Sequence, residues 1–398
     1  MAGRLPLLST QLGFLLMAER TGRRVTTNRL FRLPPAVLSA DDLNLVLRSI
    51  MLRNPTLSYR LGISRGEAYQ ERSSDAYDFA EVRVEDEAAV ARLRLAVIDE
   101  FENDLNGAAL AARLVRTHEA DYLLMLFDHA LVDGESQATM VQQLAAPEPA
   151  ADGVRERFEA AIRDRAEFEK AATADERGIA FWTDRLKHLP GELTSGTAST
   201  AAPERVALVD LPGVARPTAL RGSCFPYVLF SIHRALRDVT AAEATVIAYP
   251  WGHRSAASSD VSGCFLNTVV SLDRTGPHGT MADFLGDWYL EIDHADMPFA
   301  AVAGLGSAFS GSVSGMLAYA TAAEDSACVA GVEAVEVAAR DGRNQPIQAF
   351  SAVATVRNHE IGLELMVNEG VGYEVQDLGA RWHSRLGEML SSSPERRP

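Results

Sequence analysis

The nine residues Asp128-His129-Ala130-Leu131-Val132-Asp133-Gly134-Glu135-Ser136 hold the densest chemistry in this chain. They follow Tyr122 to Phe127 (YLLMLF), an unbroken apolar run bounded by charges, which is the pattern of a strand covered on both faces. A helical pattern then continues to Leu144. A histidine placed between a buried strand and a helix start is rigid on one side and open on the other, as a positioned general base must be. Successive strand residues point to opposite faces, so Asp128 and His129 face different ways and only one of them lines a cavity. His129 is assigned that place. Asp133 sits where the chain turns toward the helix, and a carboxylate buried there requires a cation. Gly134 is expected to permit a turn that a Cβ would forbid. On local pattern alone, a strand-end histidine is more often structural than catalytic.

The elements that must position this loop follow from the pattern around it. Leu7 to Arg20 carries Leu12, Phe14, Leu15 and Leu16 at helical spacing and breaks at Thr21-Gly22. Thr26 to Leu33 reads as a strand ending at Pro34-Pro35. Ser39 is an N-cap with Asp41 and Asp42 in the first turn, leading an amphipathic run from Leu43 to Leu52 that stops at Asn54-Pro55. Thr56 to Ile63 and Tyr77 to Val84 read as strands around a polar turn, Asp86 to Glu102 as a helix, and Ala109 to Thr117 as a strand. Val154 to Leu189 is charged and helix-like, with Phe158, Phe168, Phe181 and Trp182 as anchors.

Gly191 to Pro203 is small and polar with no apolar period, so the main boundary is placed there, giving lobes 1–190 and 204–398. The second half repeats the mixed grammar. Strands are expected at Val206 to Leu211, Thr245 to Tyr249, Cys264 to Leu272, Gly315 to Thr321, Ala330 to Ala338, Phe350 to Val356 and Ile361 to Val367. Helices are expected at Phe225 to Val239, Met281 to His294 and Asp377 to Leu390, and Ala300 to Gly306 reads as a tightly packed turn. Strands and helices interleave without a strict βαβ rhythm, which predicts a mixed α/β fold in two lobes.

Composition narrows the function classes. The chain has 398 residues, 47% hydrophobic and 23% charged, which suits a large folded core rather than disorder. The net charge of −16 repels a nucleic-acid backbone, so no nucleic-acid partner is expected. No apolar run reaches the about 18 residues of a membrane span and the N-terminus lacks a signal-peptide pattern, so a cytoplasmic protein with no membrane partner is expected. Cys224, Cys264 and Cys328 are widely spaced without a CxxC and read as small core residues. His118, His253 and His294 lack ligand spacing, so no metal is expected, and Arg20, Arg23 and Arg24 read as a solvated loop.

The nonapeptide resembles the HHxxxDGxS motif of the condensation domains of nonribosomal peptide synthetases, whose core is shared by chloramphenicol acetyltransferase and other CoA-dependent acyltransferases. Five more segments are similar in the same order: Leu8-Ser9-Thr10-Gln11-Leu12 to Leu16, Leu52 to Leu57, Ser262-Gly263-Cys264-Phe265-Leu266-Asn267-Thr268, His294-Ala295-Asp296-Met297-Pro298-Phe299, and Arg343-Asn344-Gln345-Pro346-Ile347. The resemblance implies two chloramphenicol-acetyltransferase-like lobes in a V around a central tunnel. It implies a free-standing acyltransferase that joins an acyl or aminoacyl thioester on an acyl or peptidyl carrier protein to an amine or alcohol, with a small-molecule or carrier-bound acceptor. No cofactor would be bound permanently; the phosphopantetheine thioester arrives on the carrier or as CoA. His129 corresponds to the reactive second His, Asp133 to a structural Asp paired with an Arg, here assigned to Arg254, and Asp128, Ser136 and Asn267 are candidates for the tunnel or the acceptor side.

The chain departs from the motif at its first His, which is Asp128. Asp128, Asp133 and Ser136 also spell the DxxxxDxxS pattern of heterocyclization domains, although those lack the His that this chain keeps. A non-catalytic domain that docks a carrier or recruits a tailoring enzyme is the remaining alternative. Facing away from His129, Asp128 is expected to tolerate replacement by His.

Overall fold

A computed structural model describes residues 3–73, 77–187, 189, 206–217, 223–252, 254–255, 258–305, 313–321, 326–337, 348–357, 359–368 and 371–391. The chain begins with β1 (Arg4–Pro6), α1 (Ser9–Thr21), β2 (Thr26–Leu33), α2 (Ala40–Arg53), β3 (Tyr59–Ser64), β4 (Glu67–Arg72), β5 (Asp78–Arg83), α3 (Glu87–Asn103), β6 (Leu110–Arg116), β7 (Asp121–Asp128), α4 (Gly134–Gln143), α5 (Val154–Thr173) and α6 (Glu176–Leu186). It continues with β8 (Val206–Ala215), α7 (Phe225–Thr240), β9 (Thr245–Gly252), β10 (Leu266–Asp273), α8 (Met281–Ile292), α9 (Phe299–Ala303), β11 (Gly315–Thr321), β12 (Ser326–Val329), β13 (Val332–Glu336), β14 (Phe350–Val356), β15 (Glu360–Asn368) and α10 (Val375–Ser391). This is a mixed α/β fold, as expected.

Two compact units emerge. The first is Met1–Ala171 with Gly252–Leu266 and Ala323–Arg340; the second is Ala172–Trp251 with Asn267–Ala322 and Asp341–Pro398. The segment carrying Arg254, which the sequence assigns to the second lobe, therefore groups with the first unit. The expected linker 191–203 lies outside the described residues, as do His253 and the 343–347 segment.

In the first unit, six strands run in the order β12-β13-β2-β7-β6-β5, with β7 antiparallel to both β2 and β6. The apolar run of β7 is buried because both faces of this sheet are covered. Leu123, Met125 and Phe127 pack toward α2, α4 and α5 through Leu47, Met140, Phe158 and Ile162. Tyr122, Leu124 and Leu126 pack on the opposite face toward α3 through Val97, Ile98 and Phe101. A small sheet, β1-β4-β3, completes the unit.

The second unit holds the sheet β10-β9-β11-β14-β15-β8, parallel at β9-β11-β14 and antiparallel at β14-β15-β8. α7 and α10 are joined by a hydrogen bond from Trp382 Nε1 to Ser231 Oγ at 3.0 Å. His233 is buried between Thr245 Oγ1 at 2.7 Å and Ser271 Oγ at 3.1 Å, and burial pushes its pKa down to about 4.

Several expectations are corrected. Pro55 opens a 3-10 turn over Pro55–Ser58, because proline at a helix start is preorganised, and the strand begins only at Tyr59. The stretch expected to be a polar turn contains β4, a strand whose side chains are mostly polar because little of the small sheet is covered. Ala330 to Ala338 is not one strand: Ala330 and Gly331 have φ of 49° and 81° and make the tight turn between β12 and β13. The packed turn at Ala300 forms the short helix α9. Cys224 and Cys264 are buried, but Cys328 is exposed on the two-residue-period face of β12 that points outward.

Candidate active site

The site starts from the end of β7. Opposite it on β2, Thr27 pairs with Phe127 and Thr26 with Asp128. Gln137 of α4 donates from Nε2 to Thr27 Oγ1 at 3.1 Å, which puts the Thr27 and Phe127 side chains on the α4 face. Asp128 therefore takes the α3 face, and its Oδ2 lies 3.6 Å from Arg24 Nη1, a guanidinium stacked 3.6 Å from the centre of the Phe101 ring of α3. The reading of Arg24 as part of a solvated loop is wrong: Arg24 is 7% exposed, because Phe101 and the Ala108 segment close over it. Burial pushes the Asp128 carboxyl above its ordinary range, and the Arg24 guanidinium opposes that rise.

His129 sits in the turn that follows, its amide donating to Val25 O at 2.9 Å. Leu131 N and Val132 N both donate to Asp128 O at 3.0 Å, and Ala130 N donates to Asp128 Oδ1 at 3.0 Å, so the turn is closed by its first residue. His129 Nδ1 lies 2.9 Å from Val132 O. A carbonyl oxygen only accepts, so Nδ1 carries the proton in the neutral ring and Nε2 keeps its lone pair. Nε2 has no partner among the described residues. The imidazole lies half-buried beside Phe14 of α1, with ring centroids 5.0 Å apart.

Asp133 is the N-cap of α4, its Oδ1 accepting from Ser136 N at 2.8 Å. Arg254 Nη2 reaches Oδ1 at 2.7 Å and Oδ2 at 2.8 Å, while Phe265 N donates to Oδ2 at 3.0 Å. The same guanidinium donates to Val261 O at 2.6 Å and Ser136 Oγ at 2.8 Å and pairs with Glu135 at 3.0 Å. Asp133 is 5% exposed, and each of its oxygens has both a cation and a backbone amide. That degree of satisfaction is what a buried ion pair requires.

Three predicted site residues have other surroundings than expected. Ser136 is 1% exposed, and its hydroxyl donates to Gly263 O and accepts from Gly263 N, both at 2.8 Å. Asn267 is in the second unit and 3% exposed, with Nδ2 on Ala295 O and Met297 O and Oδ1 on Phe299 N. It fastens the segment before α9. Gly134 has no positive φ, and a Cβ there would meet open space, so the turn does not need glycine; the Asp133 cap makes it. Sequence reasoning missed Phe14 and Arg24. The carboxylate at a buried strand end was the signal for the second, since it calls for a cation.

Cys264 is buried, and burial together with the Asp133 and Asp128 carboxylates holds its thiol well above the ordinary range, which leaves it no thiolate character. Among the described residues no group of three or more His, Cys, Asp or Glu is placed to hold a metal ion, and no helix is long and apolar enough to cross a membrane.

No family model and no curated protein matches the sequence. Solved structures do match. The starter condensation domain of rhizomide synthetase, a variant in complex with C8-CoA and Leu-SNAC, superimposes with a TM-score of 0.77 at 15% identity over 98% of this chain and 94% of that one. The first condensation domain of the calcium-dependent antibiotic synthetase, in complex with a substrate analogue, gives 0.73 at 18% identity over 98% and 97%. The X-domain from teicoplanin biosynthesis gives 0.74 at 18% identity over 99% and 96%, and a complex of that X-domain with OxyB also matches. The chain has the fold of the nonribosomal peptide synthetase condensation domains.

Proposed function

We propose that this protein is a condensation-type acyltransferase in which His129 serves as the base toward an amine or alcohol that attacks a carrier-bound thioester. The observation that carries this reading is the bond between His129 Nδ1 and Val132 O, which leaves the Nε2 lone pair open on a half-buried ring. As the nucleophile adds to the thioester carbonyl, its proton passes to Nε2. Collapse of the tetrahedral adduct breaks the C–S bond, and the departing thiolate takes that proton back. Holding two tethered reactants together supplies most of the acceleration, and the base adds about 100-fold to 10,000-fold. Asp133, Arg254 and Gly134 belong to the frame of the loop rather than to the chemistry. The donor is an acyl or peptidyl carrier protein bearing phosphopantetheine, or CoA, in natural-product biosynthesis.

The heterocyclization alternative would need Asp128 as a working carboxylate, yet Asp128 is engaged by Arg24 and the Ala130 amide on the face turned from His129. The recruitment alternative is favoured by one observation, the likeness to an X-domain found in complex with OxyB. Mass spectrometry of acyl-loaded carrier proteins incubated with this protein and candidate acceptors separates the readings. Condensation predicts a product whose formation falls at least about 100-fold in His129→Ala. A product formed at the wild-type rate by His129→Ala removes His129 from the mechanism. A product about 18 Da lighter than the open amide, from loss of a second water, would instead support heterocyclization.

A further inference from the structure

Arg24 lies on the α3 face of the sheet, the face turned from His129, and yet is tied to both ends of the His129 turn. Its Nε donates to Phe101 O at 2.7 Å and its Nη1 to Ala108 O at 3.0 Å, so the guanidinium is fixed before it meets Asp128. Its backbone neighbour Val25 accepts the His129 amide. Asp128 divides its carboxylate between two duties: Oδ2 faces Arg24, and Oδ1 holds the Ala130 amide inside the turn. The turn in turn places Val132 O on His129 Nδ1. A carboxylate partly buried on this face without a cation would swing toward water and release the Ala130 amide, because an unpaired charge there is costly.

We propose that Arg24 is a positioning residue for His129: by holding the Asp128 carboxylate on the Ala130 amide, it keeps the His129 ring in the orientation and tautomer that leave Nε2 open. As far as it concerns rate, this rests on the condensation reading above. The geometric part stands without it.

The test is a double-mutant cycle of Arg24→Met and Asp128→Asn, read by imidazole nitrogen NMR, with the His129 signals identified by their loss in His129→Ala. Wild type should show one neutral form, protonated at Nδ1. Arg24→Met should show a mixture of tautomers and, where condensation is measurable, about tenfold slower turnover. Asparagine keeps an acceptor for the Ala130 amide without a charge to compensate, so Asp128→Asn and the double variant should both return to the wild-type signal. A wild-type signal in Arg24→Met overturns the proposal, and so does a double variant no better than Arg24→Met alone. If Arg24→Met does not fold, a folded double variant with the wild-type signal supports the proposal. Failure of both to fold overturns it, because Arg24 would then be acting on the Phe101 and Ala108 carbonyls rather than through Asp128. A wild-type protein with the expected tautomer but no acyl transfer fails the condensation reading and leaves the geometric part intact.

Discussion

Two carboxylate–guanidinium pairs flank His129, one residue before it and four after; that of Asp133 is buried, that of Asp128 only partly, and they are built differently. Asp133 and Arg254 meet at 2.7 and 2.8 Å, and every remaining acceptor site on the carboxylate is filled by a backbone amide. Asp128 and Arg24 stand 3.6 Å apart, and only one carboxylate oxygen holds an amide. The first pair caps a helix and ties it to the Val261–Phe265 segment, so it serves the fold whatever side chain precedes it. The second adjusts the turn that carries the imidazole. The difference separates a frame that must be present for the chain to fold from a setting that tunes one ring.

The largest expected effect breaks the frame. Asp133→Ala leaves the buried Arg254 with the exposed Glu135 as its remaining carboxylate partner and removes the cap of α4, so a loss of about 3–5 kcal/mol is expected, seen as a lower Tm or insoluble protein. An equally stable Asp133→Ala protein would erase the distinction between the pairs. The looser pair should give a smaller loss, about 2 kcal/mol for Arg24→Met at pH 7, measured by urea unfolding.

That second loss should depend on pH with an unusual sign. The groups near Asp128 are Arg24, His129 and Cys264, and Arg24 itself also faces Asp104 and Glu102. Burial raises the folded-state pKa of Asp128, so the folded protein binds its proton more readily than the unfolded chain does. The penalty of the charged carboxylate is present above that raised pKa and is relieved as pH falls through it. Without Arg24 the rise is larger, so the deficit of Arg24→Met relative to wild type should shrink as pH falls from 7 through the raised pKa. A deficit that grows on acidification would show that Arg24 supports something other than Asp128.

The least change comes from Asp128→His, which completes the HHxxxDG pattern but removes the counter-charge of Arg24, so a loss of stability of about 1–2 kcal/mol is expected. Arg24 keeps its bonds to Phe101 O and Ala108 O in that variant, which is why the cost stays below that of Arg24→Met. Differential scanning calorimetry of the two variants orders them directly, and the reverse order would mean that the pair matters less than the turn residue itself.

Much of the scaffold was legible because periodicity and local turn chemistry are properties of short segments. β2, β11 and β14 have the bounds expected from the sequence, β14 with a clean apolar alternation, and Ser39, Asp86 and Thr280 cap helices that their own side chains announce. β4 and the turn at Ala330-Gly331 are not legible in the sequence, the first because its side chains are mostly polar and the second because an alanine at positive φ carries no composition signal.

For the site, local pattern was enough to read that a histidine follows a doubly covered strand, that Asp128 and His129 part to opposite faces, and that Asp133 needs a cation. Those statements rest on strand alternation and on the cost of burying charge, which act over a few residues. Which guanidinium answers which carboxylate emerges only in the folded chain, since Arg254 reaches Asp133 across 121 positions of chain and Arg24 reaches Asp128 from just before β2. The fold also engages Ser136 with Gly263 and Arg254, Asn267 with backbone groups, and Nδ1 of His129 with Val132 O. Those pairings depend on distances between segments remote in sequence, which no local pattern encodes.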